Sequence, residues 1–308
     1  MNACIRAVVR TALYHGLSVV GIRRGYEGMI DGDMKEMQAS DVSDIIQRGG
    51  TILKSARSER FRTEEGRAKA AENLRKAGID AVVAIGGDGT ITGAKIFTKE
   101  HGIPFVACPG TIDNDLYGTD YTIGYDTALN TAVHAIDKIR DTASSHNRLF
   151  FVEVMGRDAG FLALNSGIAG GAEGVLIPET KTDLPHLFEM LERGWNRQKS
   201  SFIIVVAEGD ESGGAFEVAR QVKEKFGHFD TRVTVLGHIQ RGGTPSCMDR
   251  VNPSELGMAA VKALLEGKES ILLGKMKGEI SETPFSKAIK SHNVISPSLL
   301  ELVQVLSA

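Results

Sequence analysis

Two glycine-rich segments bearing carboxylates follow short apolar runs. Ala81–Ile85 leads into Gly86-Gly87-Asp88-Gly89-Thr90, and Ile103–Ala107 leads into Cys108-Pro109-Gly110-Thr111-Ile112-Asp113-Asn114-Asp115. A buried strand, a glycine turn and then a helix aims backbone N–H groups and a helix N-terminus at phosphate. The glycines are needed because a Cβ would keep the backbone away from the phosphate oxygens. Asp88 could hold Mg²⁺, which takes one or two carboxylates together with phosphate oxygens and water. The plainer alternative is a strand-to-helix turn with Asp88 capping the helix. In the second segment, one carboxylate could accept a proton from a hydroxyl nucleophile while the other supports a metal or orients its partner. An Asx-rich turn is the alternative there. Two acid-bearing loops in consecutive strand–helix units should converge on one sheet edge, which turn chemistry alone does not explain.

Other phosphate motifs fit less well. The chain contains no GxxxxGK[ST] loop. Gly87 to Gly93 reads GxGxxxG, a near miss for a dinucleotide fingerprint, which also wants an acidic residue ending the next strand. That strand runs into Cys108-Pro109-Gly110 instead, so a nicotinamide cofactor fits worse than a phosphate. Cationic loops follow. Ser145-His146-Asn147-Arg148 precedes the run Leu149–Val154, and Met155-Gly156-Arg157 follows it. Glu208 ends Phe202–Ala207, and Thr231-Arg232 opens a run ending in Gly237-His238-Ile239-Gln240-Arg241-Gly242-Gly243. Arg157, His238 and Arg241 thus lie just beyond strand carboxyl ends, where open α/β sheets bind ligands. Arginine offers bidentate recognition of phosphate, so this set suits a phosphorylated substrate.

The elements that position these loops alternate along the chain. Leu17–Ile22, Ala81–Ile85, Ile103–Ala107, Leu149–Val154, Gly174–Ile177, Phe202–Ala207 and Val233–Leu236 read as strands buried on both faces. Glu64–Ala77, Ala128–Thr142, Leu184–Arg197, Ala215–Phe226 and Pro253–Leu265 have helical length, with Gly78 as a C-terminal glycine and Pro253 in a first turn. Asn2–Tyr14 also reads as a helix, so the chain opens on a helix where a doubly wound domain usually opens on a strand. The alternation implies an α/β protein with two doubly wound, three-layer α/β/α domains and mainly parallel sheets.

Composition narrows the function classes. The chain has 308 residues, 42% hydrophobic and 24% charged, with 35 glycines against 8 prolines. These are the proportions of a globular protein with many tight backbone approaches. A net charge of −3 supplies no global field for nucleic acid or an anionic membrane. The longest uncharged run, Ala159–Ala172, is too short to span a bilayer. Cys4, Cys108 and Cys247 form no CxxC pair, which fits a reducing compartment and a cytoplasmic location.

Taken together, IGGDGT at 85–90, PGTIDND at 109–115, VMGR at 154–157, AEG at 207–209 and GHIQRGG at 237–243 resemble the 6-phosphofructokinase family in sequence, order and spacing. Similarity extends from Met1 to about residue 265. GGDGT alone is shared with other kinases, and the TIDND and MGR segments separate this chain from them. The resemblance implies transfer of the ATP γ-phosphoryl group to the 1-hydroxyl of fructose 6-phosphate. Asp113 is then the base, with Thr111 and Arg157 facing the transferring group. Asp88 would hold Mg²⁺, and Gly87, Asp88, Gly89, Thr90, Arg57 and Ser58 would bind ATP. Ile112, Met155, Gly156 and Glu208 would contact the sugar. His238, Ile239, Gln240 and Arg241 would surround the 6-phosphate, joined by Arg148 and Arg232 from a neighbouring subunit of a homotetramer. The implied domains are 1–123 plus about 238–288 for nucleotide, and about 124–237 plus 289–308 for sugar phosphate.

Pyrophosphate-dependent members of that family carry Asp at the position of Gly89 and Lys at that of Gly110, filling space the α-phosphate of ATP needs. Glycine at both positions favours ATP. The pyrophosphate-dependent enzyme and a non-catalytic sugar-phosphate-binding paralogue are the alternatives. Arg6, Arg10, Arg140, Gly171, Glu173 and Lys199 match positions that bind a nucleotide or phosphoenolpyruvate effector in bacterial relatives. Arg197 and Ala39 depart from that pattern, and Arg6 and Arg10, one helical turn apart, also read as a solvated face. The family begins with a strand and a glycine loop before the stretch matching Met1-Asn2-Ala3, so Met1 is expected to be internal to a longer chain. The stretch after Gly267 matches weakly and carries no assigned role.

Overall fold

A computed structural model describes residues 1–144, 148–197 and 201–306. In chain order the elements are α1 (Asn2–Tyr14), β1 (Val20–Ile22), α2 (Gly25–Asp31), β2 (Met34–Glu36), α3 (Glu64–Lys76), β3 (Val82–Gly86), α4 (Asp88–His101) and β4 (Phe105–Pro109). Then come α5 (Tyr125–Ser144), β5 (Arg148–Val154), α6 (Phe161–Ala169), β6 (Gly174–Leu176), α7 (Leu184–Asn196), β7 (Phe202–Ala207), α8 (Gly214–Lys225) and β8 (Asp230–Val235). The last are α9 (Met248–Leu265), β9 (Ile271–Met276), β10 (Glu279–Pro284), α10 (Phe285–Ala288) and α11 (Pro297–Leu306). Two compact units result. One holds Met1–Thr111, Leu116–Asp126 and Gly243–Asn293, and the other holds Ile112–Asp115, Thr127–Gly242 and the chain from Val294 onward.

The first unit is built on a sheet of order β10-β9-β4-β3, parallel except for the β9–β10 hairpin. Strand alternation sends its side chains to two separate cores. Phe105, Ala107 and Leu272 pack with Leu74 of α3 and Ile91 and Phe97 of α4. Val106, Cys108 and Leu273 pack on the other side with Cys4 of α1 and Leu256 and Ala260 of α9. Burying both faces is what the uninterrupted apolar runs demand. Local signals agree: Thr63 caps α3 by accepting the Gly66 N–H at 3.1 Å, with Glu64 and Glu65 in the first turn and Arg75 and Lys76 in the last.

The second unit has an all-parallel sheet of order β6-β7-β5-β8. Leu149, Phe151, Ile204 and Val206 face α7 and α8 through Leu187, Leu191, Val218 and Val222. The opposite face carries α6, so close that a Cβ at Gly167 would lie 2.4 Å from Val175 Cγ2. Both units are therefore three-layer α/β/α, as the alternation predicts. Among the described residues, no helix is long and apolar enough to cross a membrane.

Three details depart from the sequence reading. Leu17–Ile22 does not join a parallel sheet; only Val20–Ile22 is a strand, paired antiparallel with β2. Arg24 adopts φ 59° and Gly25 φ 56°, turning the chain into α2 before it can run longer. Pro253 is not in a first turn, because α9 starts at Met248 and carries the proline inside. It lacks the N–H that would reach Asp249, so one helical bond is lost there. The stretch after Gly267 is structural: β9 pairs parallel with β4 through Val106↔Ile271 and Ala107↔Leu272, extending the first sheet.

Candidate active site

In the first unit, β3 and β4 end side by side, with Gly86 opposite Pro109. The Gly110 N–H donates to the Gly86 carbonyl at 2.9 Å, so the two glycine loops leave the sheet as a joined pair. A Cβ at Gly87 would lie 3.6 Å from Thr111 Cβ, which puts Thr111 against the start of α4. Gly87 is the N-cap of α4 and offers no side-chain cap, so early backbone N–H groups of the helix point outward. Asp88 is its first residue. Asp88 Oδ1 is buried and has no hydrogen-bond partner among the described residues. Such an oxygen costs free energy unless a ligand completes it. A cation fits this demand, and no group of three or more His, Cys, Asp or Glu among the described residues could cage one without other donors. One carboxylate plus phosphate oxygens and water is a Mg²⁺ set.

Neighbouring groups brace this turn. Tyr26 donates to the Thr90 carbonyl at 2.5 Å and stacks on Phe61 with ring centroids 3.8 Å apart. Burial pushes its phenol pKa up, so it remains a donor. Arg57 is exposed on the segment before the 3₁₀ turn Arg60–Arg62. The Ser58 hydroxyl is committed: it donates to Glu27 and accepts the Phe61 N–H at 3.1 Å. Cys4 and Cys108 are fully buried. The Cys108 thiol is pushed up, first by its hydrogen bond with Cys4 and then by burial, which keeps it protonated and inert.

Ile112, Asp113, Asn114 and Asp115 belong to the second unit. Asp113 is half-buried on a bend whose next residue, Asn114, is buried with φ 56°, a conformation asparagine tolerates better than most. At the carboxyl edge of this unit's sheet, β5, β7 and β8 deliver the remaining candidates. Met155, Gly156 and Arg157 follow β5, Glu208 follows β7, and the 3₁₀ turn Gly237–Arg241 follows β8. Gly156 has φ 145°, and a Cβ there would sit 2.4 Å from the Ala159 carbonyl, so only glycine fits. Arg157 has φ 55°, a left-handed conformation costing about 1–2 kcal/mol for a residue with a Cβ. Its N–H donates to Glu208 Oε1 at 2.7 Å. His238, Ile239 and Arg241 are exposed, whereas Gln240 turns inward. The Gln240 amide accepts the Met155 N–H at 3.3 Å and donates to the Gly237 carbonyl at 3.1 Å, binding the two loops together.

Arg148 and Arg232 are not in this group. They open β5 and lie early in β8, and Asp230 pairs with both, at 2.8 Å to Arg148 and 2.9 Å to Arg232. Arg148 starts the seven-residue strand whose far end carries the Arg157 loop, about 20 Å away at strand rise. Arg140, Gly171 and Glu173 do come together: Arg140 donates to the carbonyls of Gly170 and Gly171 at 2.6 and 2.5 Å and lies 3.7 Å from Glu173. Arg6 and Arg10 are on α1 in the first unit, and Lys199 lies outside the described residues.

The comparisons with known proteins bear on this arrangement. A sequence model described as phosphofructokinase matches residues 1–264. The chain belongs to the phosphofructokinase family. An ATP-dependent 6-phosphofructokinase 1 of Thermus thermophilus is 56% identical over 307 residues, spanning 100% of this chain and 95% of that protein. The ATP-dependent 6-phosphofructokinase 2 of Bacteroides thetaiotaomicron is 54% identical, spanning 100% and 94%. A solved phosphofructokinase of Saccharomyces cerevisiae superposes with a TM-score of 0.89 at 34% identity, covering 99% of this chain and 44% of that one. The chain thus spans less than half of the yeast subunit.

Sequence reading overlooked Asp230, Glu27 and Glu179 around this phosphofructokinase scaffold. Glu179 could have been found, since it follows the apolar run Gly174–Ile177 as Glu208 follows its own. The packing also gives a sharp test. A Cβ at Gly209 would lie 2.0 Å from the Arg157 carbonyl. Gly209→Ala should destabilise the fold by about 1–3 kcal/mol, measured as a fall in Tm. An unchanged Tm would contradict this close packing.

Proposed function

We propose that this chain transfers the γ-phosphoryl group of ATP to the 1-hydroxyl of fructose 6-phosphate, giving the 1,6-bisphosphate and ADP. The buried Asp88 oxygen without a partner among the described residues, at the first residue of an uncapped helix beside a glycine loop, is the observation that carries this reading. It calls for a phosphate-borne cation, and full-length relatives named as ATP-dependent 6-phosphofructokinases supply the reaction.

Each residue then has a task. Gly87, Gly89 and Thr90 let phosphate oxygens approach the first turn of α4, with Arg57 toward the nucleotide and Ser58, whose hydroxyl is committed to Glu27 and the Phe61 N–H, holding the segment that carries Arg57. Asp88 would hold Mg²⁺, which screens phosphate charge when bound. Asp113 takes the proton of the 1-hydroxyl as that oxygen becomes the nucleophile. Arg157 and Thr111 stabilise charge on the transferring group, where electrostatic stabilisation is the main catalytic contribution. Met155, Gly156, Ile112 and Glu208 contact the sugar, and His238 and Arg241 meet its 6-phosphate. Gln240, whose side chain is committed to Met155 and Gly237, contributes by holding the loop, and Ile239 borders it.

The placement of Arg148, at the far end of β5 from the Arg157 loop, supports its use, with Arg232 beside it on Asp230, in a second copy's site; the family resemblance makes that assembly a homotetramer, which sedimentation analysis tests. Arg140, Gly171 and Glu173, which the Arg140 contacts hold together, would contribute to an effector site for a nucleotide or phosphoenolpyruvate, and calorimetric titration with each tests it. The reaction is tested by ADP release in a coupled assay with Mg²⁺-ATP. Release that requires fructose 6-phosphate supports the reading, and release independent of any sugar phosphate would sink it. A cytoplasmic location accords with the substrates.

A further inference from the structure

We propose that Glu179 is a positioning residue for Arg157, an inference that rests on the role given to Arg157 above. The turn carrying Arg157 is short and strained. Gly156 and Arg157 both have positive φ, and within the turn the Ala159 N–H donates to the Gly156 carbonyl at 3.0 Å. Two carboxylates grip this turn from outside. Glu208 takes the Arg157 N–H at 2.7 Å, and Glu179 takes the Gly160 N–H with both oxygens, at 2.8 and 3.1 Å.

Glu179 is well placed to act as a fixed post. It stands on the turn Ile177-Pro178-Glu179-Thr180, closed by the Thr180 N–H on the Ile177 carbonyl. Ile177 is buried in the core, and Pro178 fixes its own φ. Gly160 is the N-cap of α6, so the carboxylate also meets the positive end of that helix. The fit is close: a Cβ at Gly160 would lie 2.5 Å from Glu179 Oε2 and from Ile177 Cβ. The two gripping segments are themselves joined, because the Thr182 hydroxyl donates to the buried Asp210 at 2.9 Å. Residues 177–182 and 208–210 are thereby tied to each other as well as to residues 156–160. If Glu179 is removed, the Gly160 N–H loses its acceptor and the left-handed turn at Arg157 loses one of its two external holds.

The test is steady-state kinetics on the full chain. Glu179→Ala should lower kcat about tenfold or more, with KM for fructose 6-phosphate and ATP within about twofold, because Arg157 acts on the transferring group. Glu179→Gln, whose amide oxygen can still accept the Gly160 N–H, should restore kcat to within about threefold of wild type. In an Arg157→Ala background, Glu179→Ala should lower kcat no further, since the two residues act as one unit. A wild-type kcat in Glu179→Ala, or additive losses in the double variant, would overturn the inference. Should Glu179→Ala fail to fold, Glu179→Met against Glu179→Gln decides, and equal kcat in the two would overturn it. An inactive wild-type chain would instead indict the proposed function.

Discussion

Replacing Asp113 with alanine is expected to lower phosphoryl transfer by about 10²–10⁴-fold, the usual contribution of a positioned general base. Binding of fructose 6-phosphate should change little. Asp113 sits half-buried on a bend that the buried, left-handed Asn114 terminates, so the loop backbone is held by its neighbour. On the proposed roles, truncation at Asp113 would remove basicity at the hydroxyl and leave the sugar and 6-phosphate contacts to Glu208, His238 and Arg241. Asp113→Asn separates charge from shape and should be nearly as slow. Calorimetry with fructose 6-phosphate and a coupled assay for kcat give the two readouts. Unchanged kcat in either variant would mean that another group takes the proton.

The second large effect concerns the phosphoryl donor. Gly89→Asp combined with Gly110→Lys should reduce ATP-dependent kcat/KM on the order of 100-fold, as when a pocket contact worth about 3 kcal/mol is lost. A Cβ at Gly89 meets nothing within 4 Å, so the carboxylate is accommodated by the protein and intrudes only on the ligand. Gly110 is tighter: its Cβ would lie 3.0 Å from Gly86 N and 3.2 Å from Ile85 Cγ2, requiring a small local shift. Gly89→Asp alone is thus the cleaner variant, and the pair the stronger. Retention of wild-type ATP kinetics by both would show that neither glycine makes room for the nucleotide.

Much of this scaffold is legible in the residues themselves. Strands buried on both faces, such as Phe202–Ala207, announce themselves because every position is apolar, and glycine turns at their ends mark the loops. The hairpin β9–β10 is not announced. Its two-residue turn is Lys277-Gly278, both at positive φ, without the Asn-Gly or Asp-Gly pair that signals such turns. Ile280 and Glu282 on its outer strand do not form a continuous apolar run. Leu17–Ile22 misleads for another reason: Leu17 is exposed, Val19 packs against the small cluster of Ile5, Val9 and Met37, Ile22 packs against the core of α3 and α4, and among the described residues β1 pairs only with β2.

At the candidate site, the acids and arginines are visible as types, whereas their commitments are not. Gln240 and Glu208 share the same strand-end setting as Arg241 and Arg157. Packing turns the Gln240 amide inward and gives Glu208 an N–H of the Arg157 turn. Such long-range backbone contacts depend on the folded separation of residues about 50 or more apart, as in the Arg157–Glu208 bond with a separation of 51. Spacing in the chain carries no trace of them.

The central claim, ATP-dependent phosphorylation of fructose 6-phosphate, is tested most directly by ³¹P NMR of the product formed from each donor. With Mg²⁺ and fructose 6-phosphate, ATP should yield fructose 1,6-bisphosphate, and pyrophosphate should yield none. Product from pyrophosphate but not from ATP would contradict the account, as would tight binding of both substrates with no product at all.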